Sequence, residues 1–146
     1  MPKKSLITVQ EAATTCLCQK TRLAARAVTR AYDKALRPTG LRSTQFTVLV
    51  AASVADGIPL GHLANILGLE RTTLTRNLSA LKKQGQIRIV KVDGRTRKAV
   101  ITPLGADCLK KALPVWDRTQ RALRGRLGER EWRAIHISLT GLAEAA

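Results

Sequence analysis

Between Arg71 and Lys83, four polar residues, Thr72, Arg76, Ser79 and Lys83, follow one another at steps of four, three and four, while Leu74, Leu78 and Leu81 are spaced four and three apart. At about 100° per residue the two sets fall on opposite sides of one helix, with Arg71 at its start and Thr73 and Thr75 at the margins of the polar side. Hydroxyls that both donate and accept, beside one guanidinium with a fixed fork of donors, suit the reading of hydrogen-bonding edges such as those of bases in a groove. Solubility alone would favour Glu and Lys on such a face, and a merely solvated polar face is the competing reading. Enzymatic chemistry is not expected. His62 and His136 stand in no spacing that suggests catalysis or metal binding, so both read as surface or structural residues. No nucleophile–base pair, Gly-rich phosphate loop, cofactor motif or metal site is evident.

A second group of chemistry-bearing residues follows. QIRIVKV is β-branched and alternating, DGRTRK reads as a turn and AVIT as a second short β run, so the segment 86–102 predicts a hairpin with Arg95, Arg97 and Lys98 crowded at its tip. A narrow cationic tip suits a minor groove, whose negative potential draws arginine; a charged edge guarding a small sheet is compatible with the same residues. From 59 to 105 there are nine basic and two acidic side chains, a net +7, within a chain whose formal charge is +16. Charge of that size points to a polyanion, with nucleic acid ahead of an anionic lipid surface.

The three cysteines, Cys16, Cys18 and Cys108, do not resemble a disulfide framework, and reduced thiols are the default. Cys16 and Cys18 sit near an expected helix start beside Lys20 and Arg22, an electropositive setting in which thiols oxidise readily. Two residues apart on a helix, they point to different sides, so a bond between them requires unwinding; bonds to Cys108 or across a dimer are equally open. Inert packing and a metal site short of ligands are the other readings.

The elements that must present these groups follow from periodicity. Composition is 45% hydrophobic but 3% aromatic, so the core draws on Leu, Ile, Val and Ala, and a mostly α class of one domain follows for 146 residues. Thr8 and Glu11 form a capping box, after which Leu17, Ala24, Val28, Ala31 and Ala35 predict one long helix to about Leu36, with Arg22, Arg26 and Arg30 on another face. Ser43 is expected to cap a second helix through Phe46, Leu49 and Val50, ended by Asp56-Gly57. Pro59 is expected to open a short third helix with Leu60, Leu63, Ala64 and Leu67, broken by Gly68. Thr102-Pro103 opens a long helix that Pro114 kinks, and Gly125 with Gly128 separates it from a last helix, Glu129 to about Ala143. No stretch reaches the roughly 20 apolar residues of a membrane span, and the start MPKKSLIT lacks a signal-peptide core; a cytoplasmic location with no membrane partner is expected.

Short helix, glycine turn, polar-faced helix and basic hairpin is the order of a winged helix-turn-helix. PLGHLANILGLE, RTTLTRNLSALKKQG, DGRTRK and ITPLG, in that order and spacing, resemble the MarR family of transcription regulators over essentially the whole chain. The resemblance implies a mostly α fold with a small β-hairpin wing, a DNA-binding lobe over 43–102 and dimerisation helices over 9–36 and 103–146. It also implies a recognition helix carrying Arg76, a wing arginine at Arg95 braced by Asp93, a homodimer on double-stranded DNA with a near-palindromic operator, and a small aromatic effector held between the dimer helices and the DNA lobe. Terminal helices rich in Ala and Leu, with Tyr32, Trp116, Trp132, Ile135, Ile137, Leu139 and Leu142, hold more apolar surface than one small domain needs, which favours a dimer independently. The two functional readings are a sequence-specific regulator, as a repressor released by a ligand or thiol oxidation, and a nonspecific architectural nucleic-acid protein.

Overall fold

Buried leucines in the middle of the chain set the architecture. The computed structural model describes residues 6–54 and 56–146, and the basic start MPKK lies outside the described residues. Leu36, Val48, Leu49, Leu63, Leu81 and Ile87 are fully enclosed, and the core they anchor runs from Leu36 to Ala112. In chain order the elements are α1 (Val9–Thr15), α2 (Leu17–Leu36), a 3-10 turn (Arg37–Thr39), α3 (Ser43–Ala52), β1 (Ile58–Pro59), α4 (Leu60–Leu67), α5 (Arg71–Lys83), β2 (Ile87–Lys91), β3 (Arg97–Ile101), α6 (Pro103–Leu127) and α7 (Glu129–Ala145). No helix among the described residues is long and apolar enough to cross a membrane.

Several local expectations are realised atom for atom. The Thr8 hydroxyl accepts from the Glu11 amide while the Glu11 carboxylate accepts from the Thr8 amide, a complete capping box. The Thr102 hydroxyl caps α6 by accepting from the Gly105 amide, with Pro103 in the first helical position. Gly68 closes α4 in the left-handed region at φ 58°.

Other boundaries differ, each for a physical reason. The long first helix is broken at Cys16, which is extended at φ −60°, ψ 110°. Thr14 and Thr15 turn their hydroxyls back onto the carbonyls of Gln10 and Glu11, a pattern that bends helices, and α1 buries no residue that would hold it in line with α2. Ser43 is the first residue of α3 rather than its cap: its amide donates to Asp33 Oδ1 at 2.7 Å, so a carboxylate from α2 supplies the cap. Pro59 precedes α4 and belongs to a two-residue strand that sequence alone does not reveal. The hairpin is therefore part of a three-stranded antiparallel sheet in the order β1-β3-β2, with Ile58 opposite Ala99 and Ile89 opposite Ala99 from the other side. A proline at this position costs little, because β1 is an edge strand. The turn from α3 into β1 ends at Gly57, φ 76°, where a Cβ would lie 2.6 Å from the Ala99 carbonyl oxygen. α3 itself stops at Ala52, before the expected Asp56-Gly57. α6 runs unbroken through Pro114 and Gly125, and Gly128 alone separates it from α7.

Candidate nucleic-acid interface

The two faces of α5 separate as their spacing requires. Leu74, Leu78 and Leu81 retain 3%, 6% and 0% of their surface. Arg71, Thr72, Thr73, Thr75, Arg76, Ser79 and Lys83 are all exposed, as is Lys82. Burial of three leucines, each contributing about 1.5–3 kcal/mol, holds the helix with its polar side outward. Not every hydroxyl is free: Thr75 donates to the Arg71 carbonyl at 2.7 Å. No side chain caps the first turn of α5, whose amides and dipole favour an anion there.

The loop between β2 and β3 is organised by one carboxylate. Asp93 Oδ1 accepts from the amides of Arg95 at 2.9 Å and Thr96 at 2.8 Å, and the Val92 amide donates to the Thr96 carbonyl. These two amides, Arg95 first, hold the Asp93 carboxyl below its ordinary value of 3.8. Arg95 stands exposed at the loop. Arg97 and Lys98 belong to β3 rather than to the tip: they face Lys91 and Val90 in register, with Arg97 exposed and Lys98 half-buried. Successive side chains of a strand point to opposite faces, so the two adjacent cations lie on opposite faces of the sheet. Among the described residues, all four ion pairs lie in α6 and α7 (Arg121–Asp117, Arg124–Glu129, Arg130–Glu131, Arg133–Glu129), leaving the cations of α5 and the sheet unneutralised.

The cysteines are separated. Cys16 and Cys18 are exposed at the break between α1 and α2, whereas Cys108 is half-buried in α6, accepting from Gln86 Nε2 at 3.4 Å and donating to the Thr39 carbonyl at 3.7 Å. Burial pushes the Cys108 thiol above its usual value, with Lys111 opposing weakly. All three are free thiols, and no cluster of three or more metal-ligating side chains occurs among the described residues.

A groove of about 300 Å³ opens between α2, α3 and α6, lined in part by Val28, Tyr32, Leu36, Thr44, Phe46 and Trp116. Phe46 and Trp116 stack with ring centroids 6.1 Å apart, and the Tyr32 hydroxyl donates to Gln120 Oε1. Burial raises the Tyr32 pKa above 10.0, keeping it a neutral phenol. Sequence reasoning missed Thr44 and Asn77, which join α3 to α5, and Gln86, whose Oε1 is buried without a partner. None of the three carries a local signal: the Thr44–Asn77 bond spans 33 residues and the Gln86–Cys108 bond 22.

The helices, the edge-strand sheet and the outward polar face together form a winged helix-turn-helix, and the chain is similar to solved structures of that kind. No protein-family model and no curated protein matches it. The M. tuberculosis transcriptional regulator MosR, in a complex with DNA, is 37% identical, with 89% of this chain and 95% of that one covered and a TM-score of 0.81. A MarR-family regulator from Rhodococcus sp. RHA1 is 21% identical over 91% of this chain and 99% of that one, with a TM-score of 0.78. The chain belongs to the MarR family of transcription regulators. The same MarR fold is found in CouR from Rhodococcus jostii RHA1 bound to p-coumaroyl-CoA, 23% identical over 86% of this chain and 88% of that one, TM-score 0.74.

Proposed function

We propose that this MarR-family protein acts in the cytoplasm as a homodimeric, sequence-specific DNA-binding repressor and not as an enzyme. The observation that carries the reading is the coincidence of an outward face of Arg71, Thr72, Thr73, Arg76, Ser79 and Lys83 with a wing whose cations have no carboxylate partner among the described residues. The lobe over 43–102 meets the duplex, with α5 in the major groove and Arg95, braced by Asp93, at the neighbouring minor groove. Arg97 and Lys98, set back on β3, serve phosphates. The helices over 9–36 and 103–146 join two copies, which implies a near-palindromic operator with half-sites about 10 base pairs apart. MosR, at 37% identity, is a transcriptional regulator in complex with DNA, which supports this reading.

Two inputs fit the structure. The groove between α2, α3 and α6 is lined without a charged side chain and suits a small, uncharged aromatic effector. Cys16 and Cys18 suit an oxidant: two thiols and one peroxide give a disulfide and two molecules of water, and the extended backbone at Cys16 removes part of the unwinding that a continuous helix would require.

Competition titration of a palindromic promoter fragment against random DNA tests the reading. Specific binding is expected to be at least roughly a thousandfold tighter than nonspecific. Arg76→Ala is expected to cost about 1–3 kcal/mol and relax base preference, whereas uniform weakening on all sequences would favour an architectural protein. In a parallel arm with peroxide, Cys16→Ser is expected to keep its DNA; equal loss from wild type and variant removes Cys16 from the sensing role.

A further inference from the structure

We propose that Thr44 and Asn77 form a hydrogen-bond relay through which an acceptor in the α2–α3–α6 groove loosens the DNA-facing side of α5; the inference rests on the effector reading above. Thr44 is half-buried near the start of α3 and lines that groove. Its hydroxyl donates to Asn77 Oδ1 at 3.3 Å, the one side-chain to side-chain hydrogen bond between α3 and α5 among the described residues. Asn77 in turn donates through Nδ2 to the Thr73 carbonyl at 3.1 Å, one helical turn back. Thr73 and Arg76, both exposed, flank that bond on the outward side of the helix.

The chemistry makes this chain exclusive. A threonine hydroxyl has one proton to donate, so Thr44 can serve Asn77 or a molecule in the groove, but not both. At 3.3 Å the Thr44–Asn77 bond is longer than the usual 2.5–3.0 Å range for O–H···O, so an acceptor offering a shorter bond wins the proton. Asn77, which is half-buried, then loses a partner, and its amide is freed to reorient away from Thr73. The leucine contacts that otherwise hold α5 are non-directional and do not fix that amide. The effector class follows: a small uncharged aromatic whose hydrogen-bond acceptor, such as a carbonyl oxygen, reaches the α3 end of the groove.

Thr44→Val removes the donor while keeping the shape, and so imitates the occupied state; Thr44→Ser keeps the donor. Amide hydrogen exchange of the full-length protein is expected to quicken several-fold in Thr44→Val at residues 73–78, with β2 and β3 unchanged as an internal control on global stability, and to be restored in Thr44→Ser. On DNA, Thr44→Val is expected to lose about three- to tenfold in specific affinity with random-sequence affinity kept, a split that mere destabilisation would not produce. Unchanged exchange in α5, or equal loss in Thr44→Ser, overturns the relay. The exchange readout uses no DNA, so a wild type without sequence preference would sink the regulator reading while the relay is still decided.

Discussion

The lobe over 43–102 and the terminal helices solve opposite problems with the same kinds of residue. In the lobe, leucines on α3, α4 and α5 are enclosed, and the cations of α5 and the sheet have no carboxylate partner among the described residues. In the terminal helices the pattern inverts: α1 and α7 bury nothing, Val9, Leu23 and Ile137 keep 88%, 60% and 74% of their surface, and Arg121, Arg124, Arg130 and Arg133 of α6 and α7 are paired with acids. One region has completed its core and left its charge unpaired; the other pairs charge at the α6–α7 end and leaves its apolar side uncovered. An apolar face of that extent belongs against another surface, and a second copy of the chain is the occupant proposed above.

Substitutions on the enclosed and on the uncovered apolar side should act on different properties. Leu81→Ala, at a fully enclosed site, is expected to lower unfolding free energy by about 2–5 kcal/mol in urea melts, through lost burial and the cavity left behind. Ile137→Glu, on the exposed face of α7, is expected to act on association instead. Sedimentation should show a shift toward monomer, and the melting temperature of wild type, but not of the variant, should fall on dilution. A variant that stays dimeric removes α7 from the proposed interface.

The same contrast explains what could be read from sequence. Features governed by neighbours in the chain were legible: the Thr8–Glu11 box, the Thr102-Pro103 start, and the leucine and polar sides of α5 all depend on residues within a few positions. Features decided across the fold were not. β1 is two residues long, too short for any alternation, and exists because β3 offers an edge. Asp33, ten residues upstream, takes the capping role expected of Ser43. At the interface, Arg76 is legible in type and spacing and the Asp93–Arg95 pair only through the family resemblance, while the set-back of Arg97 and Lys98 depends on the sheet register. Thr44 and Asn77, 33 residues apart, announce nothing locally.

Two glycines of α6 sharpen the contrast at intermediate size. Gly105 lies where the lobe packs onto the helix, and an added Cβ would stand 2.0 Å from the Gln86 carbonyl oxygen and 3.0 Å from Ile101 Cγ1. Gly105→Ala must therefore push the start of α6 off the backbone that leads into β2, at about 1–3 kcal/mol for overpacking. Gly125 has open space around its Cβ position. Gly125→Ala is expected to leave stability unchanged or raise it by up to about 1 kcal/mol, from helix propensity alone. Chemical melts of the two variants side by side check this; a costly Gly125→Ala would mean that a partner helix seats closely there.

The smallest effects come from two exposed carboxylates with depressed pKa values of different origin. Asp93, in the lobe, is held down by the amides of Arg95 and Thr96, fixed backbone donors of its own loop. Glu129, at the α6–α7 turn, is held down chiefly by hydrogen bonds from Arg124 and then Arg133, whose charges also attract it. In both, the folded pKa lies below the unfolded one, so the stabilisation is present above the ordinary carboxylate range, including at neutral pH, and is lost as pH falls through the folded value. Salt should separate them. Between about 0.01 M and 1 M salt the Debye length shrinks from about 30 Å to about 3 Å, which weakens an exposed ion pair but hardly touches a short bond to a backbone amide. Carboxyl titration by NMR is expected to move Glu129 back toward 4.5 with added salt while Asp93 stays low. If Asp93 moved with salt as much as Glu129, the wing would be held by the charges around it rather than by its own turn, and the assignment of Asp93 as the brace for Arg95 would fail.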